Sequence, residues 1–191
     1  MALNVMLDIE TLDTAASAVV LSIGAVTFSE SLIIDTFYVD IDPEAQLAEG
    51  RTISIDTIKW WMKQSDEARK CVYDPRSVTH PIQALQLFDA WVYTNDSHSE
   101  VLVWGNGSDF DNAIVNDLYK TYKMKAPWDH RGNRCYRTLK HHATMLMGAE
   151  ELKRKLVSPK LKHNALSDAE AQAENAMFML KVIQNRQGNL F

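Results

Sequence analysis

LNVMLDI (3–9), VVLSIGAVTF (19–28) and LIIDTFYVDI (32–41) open the chain, and the reading of these three runs decides the fold. β-Branched and aromatic residues recur through all of them, with polar breaks at Asp13-Thr14 and Ser29-Glu30-Ser31. Such runs bounded by turn-forming residues read as strands. Connections this short return the chain antiparallel, because a parallel crossover needs a dozen or more residues. The opening third is therefore expected to be a three-stranded antiparallel meander.

Working outward, the pattern changes to helix beyond Pro43. IDTIKWWMKQSDEARKCV (55–72) reads as a helix with Ile58, Trp61 and Met62 on one side, and a turn follows at Asp74-Pro75. PIQALQLFDAWVYT (81–94) brings Ile82, Leu85, Phe88, Ala90 and Val92 near helical spacing, with Pro81 suited to a first turn. EVLVWG (100–105) reads as a buried strand that leads directly into a helix over 109–123, the usual prelude to a parallel strand. CYRTLKHHATMLM (135–147) reads as a short strand entering a helix. Near the end, Ser167 and Glu170 have capping-box spacing, and Ala173, Ala176, Met177, Leu180 and Ile183 form an apolar stripe. Residues 124–134 and 147–162 read as irregular. The resulting order is an α/β, ribonuclease-H-like arrangement: a mixed sheet, made of the three-strand meander plus parallel strands, flanked by helices.

The 191 residues, 46% hydrophobic and 24% charged, fit a single domain over 1–191 with a sizeable core. The N-terminus lacks a basic stretch followed by an apolar run, and no segment approaches the roughly 20 apolar residues of a membrane span. A cytoplasmic protein without membrane association is expected. Cys71 and Cys135 show no CxxC spacing, so neither a disulfide framework nor a zinc site is indicated. A net charge of −5 argues against a general nucleic-acid binder. It suits an acidic metal site in an enzyme that grips only a strand end.

Five residues carry candidate chemistry. Asp8 and Glu10 lie two apart on a strand and so share a face. Carboxylates held together push one another's pKa up unless a divalent cation keeps both ionised. Asp111 follows a strand in the first turn of a helix, with Ser108 or Asp109 as N-cap; the helix dipole favours an acid there in any case. Asp168 sits just inside the capping box and has the same two readings. His163, in the loop before it, could reach a metal-bound water or be an ordinary surface histidine. Each has a structural role when taken alone. In order, D-x-E, then F-D after a strand, then H-x-x-x-x-D at the last helix point to phosphodiester hydrolysis. That reaction must generate a hydroxide, hold it in line and stabilise the leaving oxygen.

In these motifs the chain resembles the histidine-bearing subclass of the DEDD family of 3′-to-5′ exonucleases. Asp8 and Glu10 match the first motif, Asp111 the second, and His163 with Asp168 the third. Asp109 ranks below Asp111 because the family's acid directly follows an aromatic, here Phe110. A narrower likeness lies outside the motifs: DTIKWWMKQSDEARK (56–70) and Arg137-Thr138 resemble the exonuclease A group of T-even bacteriophages and prophages. The resemblance implies two divalent ions, Mg or Mn, with Asp8 bridging both. Glu10 and Asp168 would complete the water-activating site, Asp111 would serve the second ion, and His163 would be the general base. It further implies release of nucleoside 5′-monophosphates, with DNA 3′ ends favoured and RNA 3′ ends the alternative. For a phage protein the compartment would be the host cytoplasm, and a homodimer is compatible with the resemblance. The reading from another class is a catalytically vestigial nucleic-acid-binding or scaffold protein; the intact acids and His163 speak against it.

Candidates for substrate contact are fewer and more ambiguous. Thr11 and Leu12 follow Glu10 and could line a pocket for the terminal nucleotide, with Leu12 either a wedge or simple packing. Trp60 and Trp61 could stack on bases or belong to the core; adjacent helical residues point apart, and Trp61 is carried as the candidate contact. Asn106 could bond the nucleotide or shape its turn. Arg137, Lys140 and the basic run Lys153, Arg154, Lys155, Lys160 and Lys162 are candidates for phosphate contact or for solvated surface.

Overall fold

A computed structural model describes residues 2–73, 77–95 and 100–187. The turn expected at Asp74-Pro75 lies outside these residues. The three opening runs form β1 (Leu3–Thr11), β2 (Val20–Phe28) and β3 (Ile33–Ile41), paired antiparallel as the expected meander. β4 (Val78–Thr79) lies parallel beside β3, β5 (Val101–Gly105) parallel beside β1, and β6 (Asn133–Cys135) parallel beside β5. The sheet order is β4-β3-β2-β1-β5-β6, the mixed sheet that the sequence led us to expect.

The helices are α1 (Pro43–Ala48), α2 (Ile55–Trp61), α3 (Asp66–Tyr73), α4 (Pro81–Asn95), α5 (Asp111–Thr121), α6 (Tyr136–Met147), α7 (Ala149–Lys155) and α8 (Ala165–Gln187). Several differ from expectation for identifiable reasons. The single helix over 55–72 is broken into α2 and α3, each with its own cap: Ser54 Oγ accepts the Asp56 N–H, and Ser65 Oγ accepts the Ala68 N–H. Met62, just past the end of α2, is 69% exposed and does not share the inward side of Trp61. The segment 147–162 contains α7, whose only buried residue is Leu152, so no apolar stripe announces it. β4 has two residues, too few for any periodicity.

The start of α8 also moves. The expected box at Ser167 and Glu170 is replaced by reciprocal bonds three residues earlier. Asn164 Oδ1 accepts the Ser167 N–H, and Asp168 Oδ2 accepts the Asn164 N–H. Ser167 is buried, and its hydroxyl accepts the Leu161 N–H instead. At α5 the N-cap is Phe110 without a side-chain bond, not Ser108 or Asp109. Among the described residues no helix is long and apolar enough to cross a membrane.

Strand alternation in β1 places the site. Leu3, Val5, Leu7 and Ile9 pack into a core with Leu85, Phe88 and Val92 of α4 and Ile114 and Leu118 of α5. On the other face Met6 joins Leu139, Ala173 and Ala176 of α6 and α8, while Leu12, just beyond the strand, joins Val19, Leu21, Trp61 and Ala68. Burying each large apolar side chain contributes about 1.5–3 kcal/mol. Asp8 and Glu10 fall between these two apolar clusters, which hold the strand in place while the acids repel one another.

Candidate active site

β1 delivers Asp8 and Glu10, and the first turn of α8 delivers Asp168. Each offers an oxygen, and these lie within 4.8 Å of one another. The helix comes this close because Gly24, the cross-strand partner of Asp8, has no side chain. A Cβ there would stand 2.2 Å from the Ala165 carbonyl carbon and the Leu166 nitrogen. Regular pairing also breaks just after Glu10, where the register passes from Ser22 to Val20, and such a bulge turns the strand end away from its neighbour.

The acids are held at a cost. Glu10 is 7% and Asp111 3% exposed. Burial, then the charges of Asp168 and Asp111, push Glu10 up to about 8. Asp111 is raised to about 7 by burial, against the pull of the backbone N–H groups of Asp111, Ile9 and Asn106 and the charge of Arg137. Asp8 is raised by burial and by all three other acids. Asp168 is raised by burial and partly relieved by backbone bonds from Asn164 and His163 and by the charges of His163 and Lys162. No basic side chain is among the groups that shift Asp8 or Glu10.

Two further observations test whether a cation fits. Asp111 Oδ2 is buried without a hydrogen-bond partner, and so is Gln172 Oε1. Gln172 lies one turn after Asp168 and donates from Nε2 to Asp8 Oδ1 at 2.8 Å. An all-oxygen set of crowded carboxylates with a buried oxygen left over is the donor chemistry of a hard divalent cation. The residues present fit such an ion. Asp111 stands outside the 4.8 Å trio but within its electrostatic reach.

His163 has φ 59°, left-handed backbone that costs a non-glycine residue roughly 1–2 kcal/mol. Its ring meets Trp60 edge to face, with centroids 4.9 Å apart, and lies 6.3 Å from Trp61. The adjacent tryptophans divide their roles. Trp60 is 42% exposed; Trp61 is buried and donates from Nε1 to the Thr11 carbonyl at 2.8 Å.

Two cavities flank the acids. One of about 490 Å³ adjoins Glu10 and is walled by Thr11, Trp60, Trp61 and Phe110, with Asp56 and Thr57 also lining it. The other, about 470 Å³, adjoins Asp168 and Gln172 between α6, α7 and α8. Among the expected substrate contacts, Thr11 and Trp61 line the first cavity and Asn106 the second. Leu12 is buried in a cluster with Val19, Leu21 and Trp61 and is not among the residues lining the first cavity. Arg137 is exposed, 3.1 Å from Asp109, and lies across Gly107, whose φ of 117° and missing side chain leave room for the guanidinium. Gln172 and Phe110 were not chosen from the sequence as site residues, and of the tryptophan pair Trp61 was carried while Trp60 is the exposed one. Gln172 had one readable signal, its place four residues after Asp168 on the same helical face.

A mixed sheet whose first strand ends in buried carboxylates, completed by an acid at the start of the closing helix, has the ribonuclease-H-like arrangement expected above. The model of the 3′-5′ exoribonuclease Rv2179c-like domain family matches residues 3–180, and the chain belongs to that family. Cell-death related nuclease 4 (CRN-4) has a similar structure, with TM-score 0.65 and 14% identity over 94% of this chain; the chain spans 64% of that protein's length. The nuclease domain of 3′hExo, a DEDDh family member solved bound to rAMP, aligns with TM-score 0.63 and 15% identity over 94% of this chain and 92% of its own. A comparison with curated proteins gives no match.

Proposed function

We propose that this chain is a metal-dependent 3′-to-5′ exonuclease that removes nucleoside 5′-monophosphates from the 3′ ends of RNA. The observation that carries the reading is the trio of Asp8, Glu10 and Asp168 within 4.8 Å, with an aromatic-walled cavity opening beside Glu10. Two Mg or Mn ions, when bound there, would supply a water of lowered pKa and charge stabilisation for phosphodiester hydrolysis. Asp8, Glu10 and Asp168 would hold the ions, with Asp111 as a further carboxylate within their electrostatic reach. Gln172 fixes one oxygen of Asp8 through its amide. His163 accepts the proton of the attacking water, its imidazole steadied by the edge of Trp60. The terminal nucleoside enters the aromatic cavity, where Trp60 and Phe110 offer faces for its base.

RNA is preferred as substrate class because the matching family is described as exoribonuclease. DNA is the second reading, supported by the likeness of residues 56–70 to phage exonuclease A; that segment forms most of α2, whose Asp56, Thr57, Trp60 and Trp61 line the cavity, and the first part of α3. Discrimination rests on contacts to the 2′-OH. Matched single-stranded RNA and DNA of one sequence, assayed with Mg²⁺, Mn²⁺ or chelator, test this choice. RNA should be degraded at least about tenfold faster, a difference of roughly 1.4 kcal/mol in transition-state binding. Equal rates, or faster DNA, would reject RNA while leaving the exonuclease intact.

A further inference from the structure

Ser22, on β2, is fully buried, and its hydroxyl has no hydrogen-bond partner. Buried donors left unpaired are costly and rare, so each one asks for a role. Strand pairing shows what lies beside it. Glu10 of β1 stands opposite Ser22, and Ser22 stands opposite Asp40 of β3. Residues paired in this way share one face of the sheet, with Cβ atoms about 5 Å apart. The three side chains therefore make a row across the strands, carboxylate, hydroxyl, carboxylate, and all three are buried. Cys71 of α3 feels both acids: burial, then the charges of Glu10 and Asp40, push its thiol up to about 12. It stays protonated and donates to the Ala68 carbonyl at 3.3 Å, so it serves neither carboxylate.

A serine hydroxyl has one proton to give, and here two acids flank it. Tyr38 decides between them. Its hydroxyl donates to Asp40 Oδ1 at 2.5 Å, which supplies Asp40 from its own strand. Burial and that bond hold the Tyr38 phenol above its ordinary pKa, so it remains a donor. The phenol oxygen also lies near Ser22, but a neutral oxygen competes weakly with a carboxylate for a proton. Glu10 is the acid that needs a donor. Asp8 has Gln172, Asp111 has backbone N–H groups and Arg137, and Asp168 has the backbone of Asn164 and His163. No hydrogen bond is among the influences on Glu10. We propose that Ser22 is a positioning residue for Glu10: its hydroxyl turns to the ionised carboxylate and holds it toward Asp8 and Asp168, while Tyr38 keeps Asp40 from taking that proton. The proposal rests on the exonuclease reading and deepens it by extending the site two strands sideways, from β1 to β3.

Metal binding can be read with and without turnover. Without turnover, the measure is the rise in melting temperature that titrated Mn²⁺ gives over chelator; with turnover, it is the Mg²⁺ concentration for half-maximal hydrolysis of an oligonucleotide. Ser22→Ala should leave the melting temperature in chelator unchanged or slightly raised, because the hydroxyl has no partner in the fold. It should raise the metal concentration for half effect about tenfold in both assays and leave KM for the oligonucleotide unchanged. Tyr38→Phe frees Asp40 to claim the Ser22 proton, so it should shift the metal requirement in the same direction. The double variant should then need no more metal than Ser22→Ala alone, since both changes remove one hydrogen bond. A metal requirement unchanged by Ser22→Ala, losses from the two variants that add in full, or a melting loss in chelator as large as that in Mn²⁺ would overturn the proposal. An unmutated protein that Mn²⁺ does not stabilise and that hydrolyses no oligonucleotide would instead reject the exonuclease reading.

Discussion

Gly24→Ala is a single methyl group placed where α8 crosses the sheet. Its Cβ would lie 2.2 Å from the backbone at Ala165 and Leu166, whereas ordinary contact begins near 3.4 Å. The difference, 3.4 less 2.2, requires the helix start to withdraw by about 1.2 Å; the obstructing atoms are backbone, so no side chain can rotate aside. An overpacked site of this kind costs about 1–3 kcal/mol, which a core of this size tolerates. The withdrawal carries Asp168, three residues on, away from Asp8 and Glu10. Displacements near 1 Å at a reacting centre cost on the order of 10²-fold in rate. The variant should therefore fold, melt a few degrees lower, lose about 10²-fold in kcat and need more metal for half-maximal rate. Circular dichroism melts and a metal titration of the hydrolysis rate measure both effects. Wild-type kcat and metal requirement in a folded Gly24→Ala protein would refute the claim that α8 positions Asp168 through this contact.

Gln172→Leu removes a hydrogen bond to a carboxylate, worth about 1.5–3 kcal/mol, but also removes a buried acceptor without a partner, which costs about 1–3 kcal/mol. The two nearly cancel, so melting should change little while the metal concentration for half-maximal rate rises about 10–100-fold. An unchanged metal requirement would show that Asp8 needs no such anchor. The acids also dictate how the chelated protein responds to pH. Glu10 is raised from 4.5 to about 8, so between these values the folded state binds more protons than the unfolded one, and stability falls as pH rises through that window. With chelator, melting temperature should drop between pH 5 and 8, and Mg²⁺ should restore it increasingly toward pH 8. A flat profile in chelator would contradict the crowding of the acids.

The meander was legible because β1 to β3 are rich in β-branched and aromatic residues between polar breaks; of the five candidate site residues, chosen for their restrictive order along the chain, the fold brings Asp8, Glu10 and Asp168 within 4.8 Å. What escaped reading has physical causes. α7 buries one residue, Leu152, and so has no stripe. Ser167 had the spacing of a cap, yet tertiary packing buried it and handed the cap to Asn164. The contact of Trp60 with His163 joins α2 to a loop a hundred residues later, and no local pattern encodes it. Leu12 could wedge or pack from sequence alone, and its packing against Val19, Leu21 and Trp61 depends on chain segments distant in sequence.

The central claim is that Asp8, Glu10 and Asp168 hold metal for hydrolysis from the 3′ end. The most direct measurement is a time course on a 5′-labelled single-stranded oligonucleotide with Mg²⁺, with chelator, and with Asp8→Asn. The account predicts a ladder that shortens one nucleotide at a time in Mg²⁺ and stays intact in the other two. Immediate release of the labelled nucleotide, or undiminished cleavage in chelator or by Asp8→Asn, would contradict it.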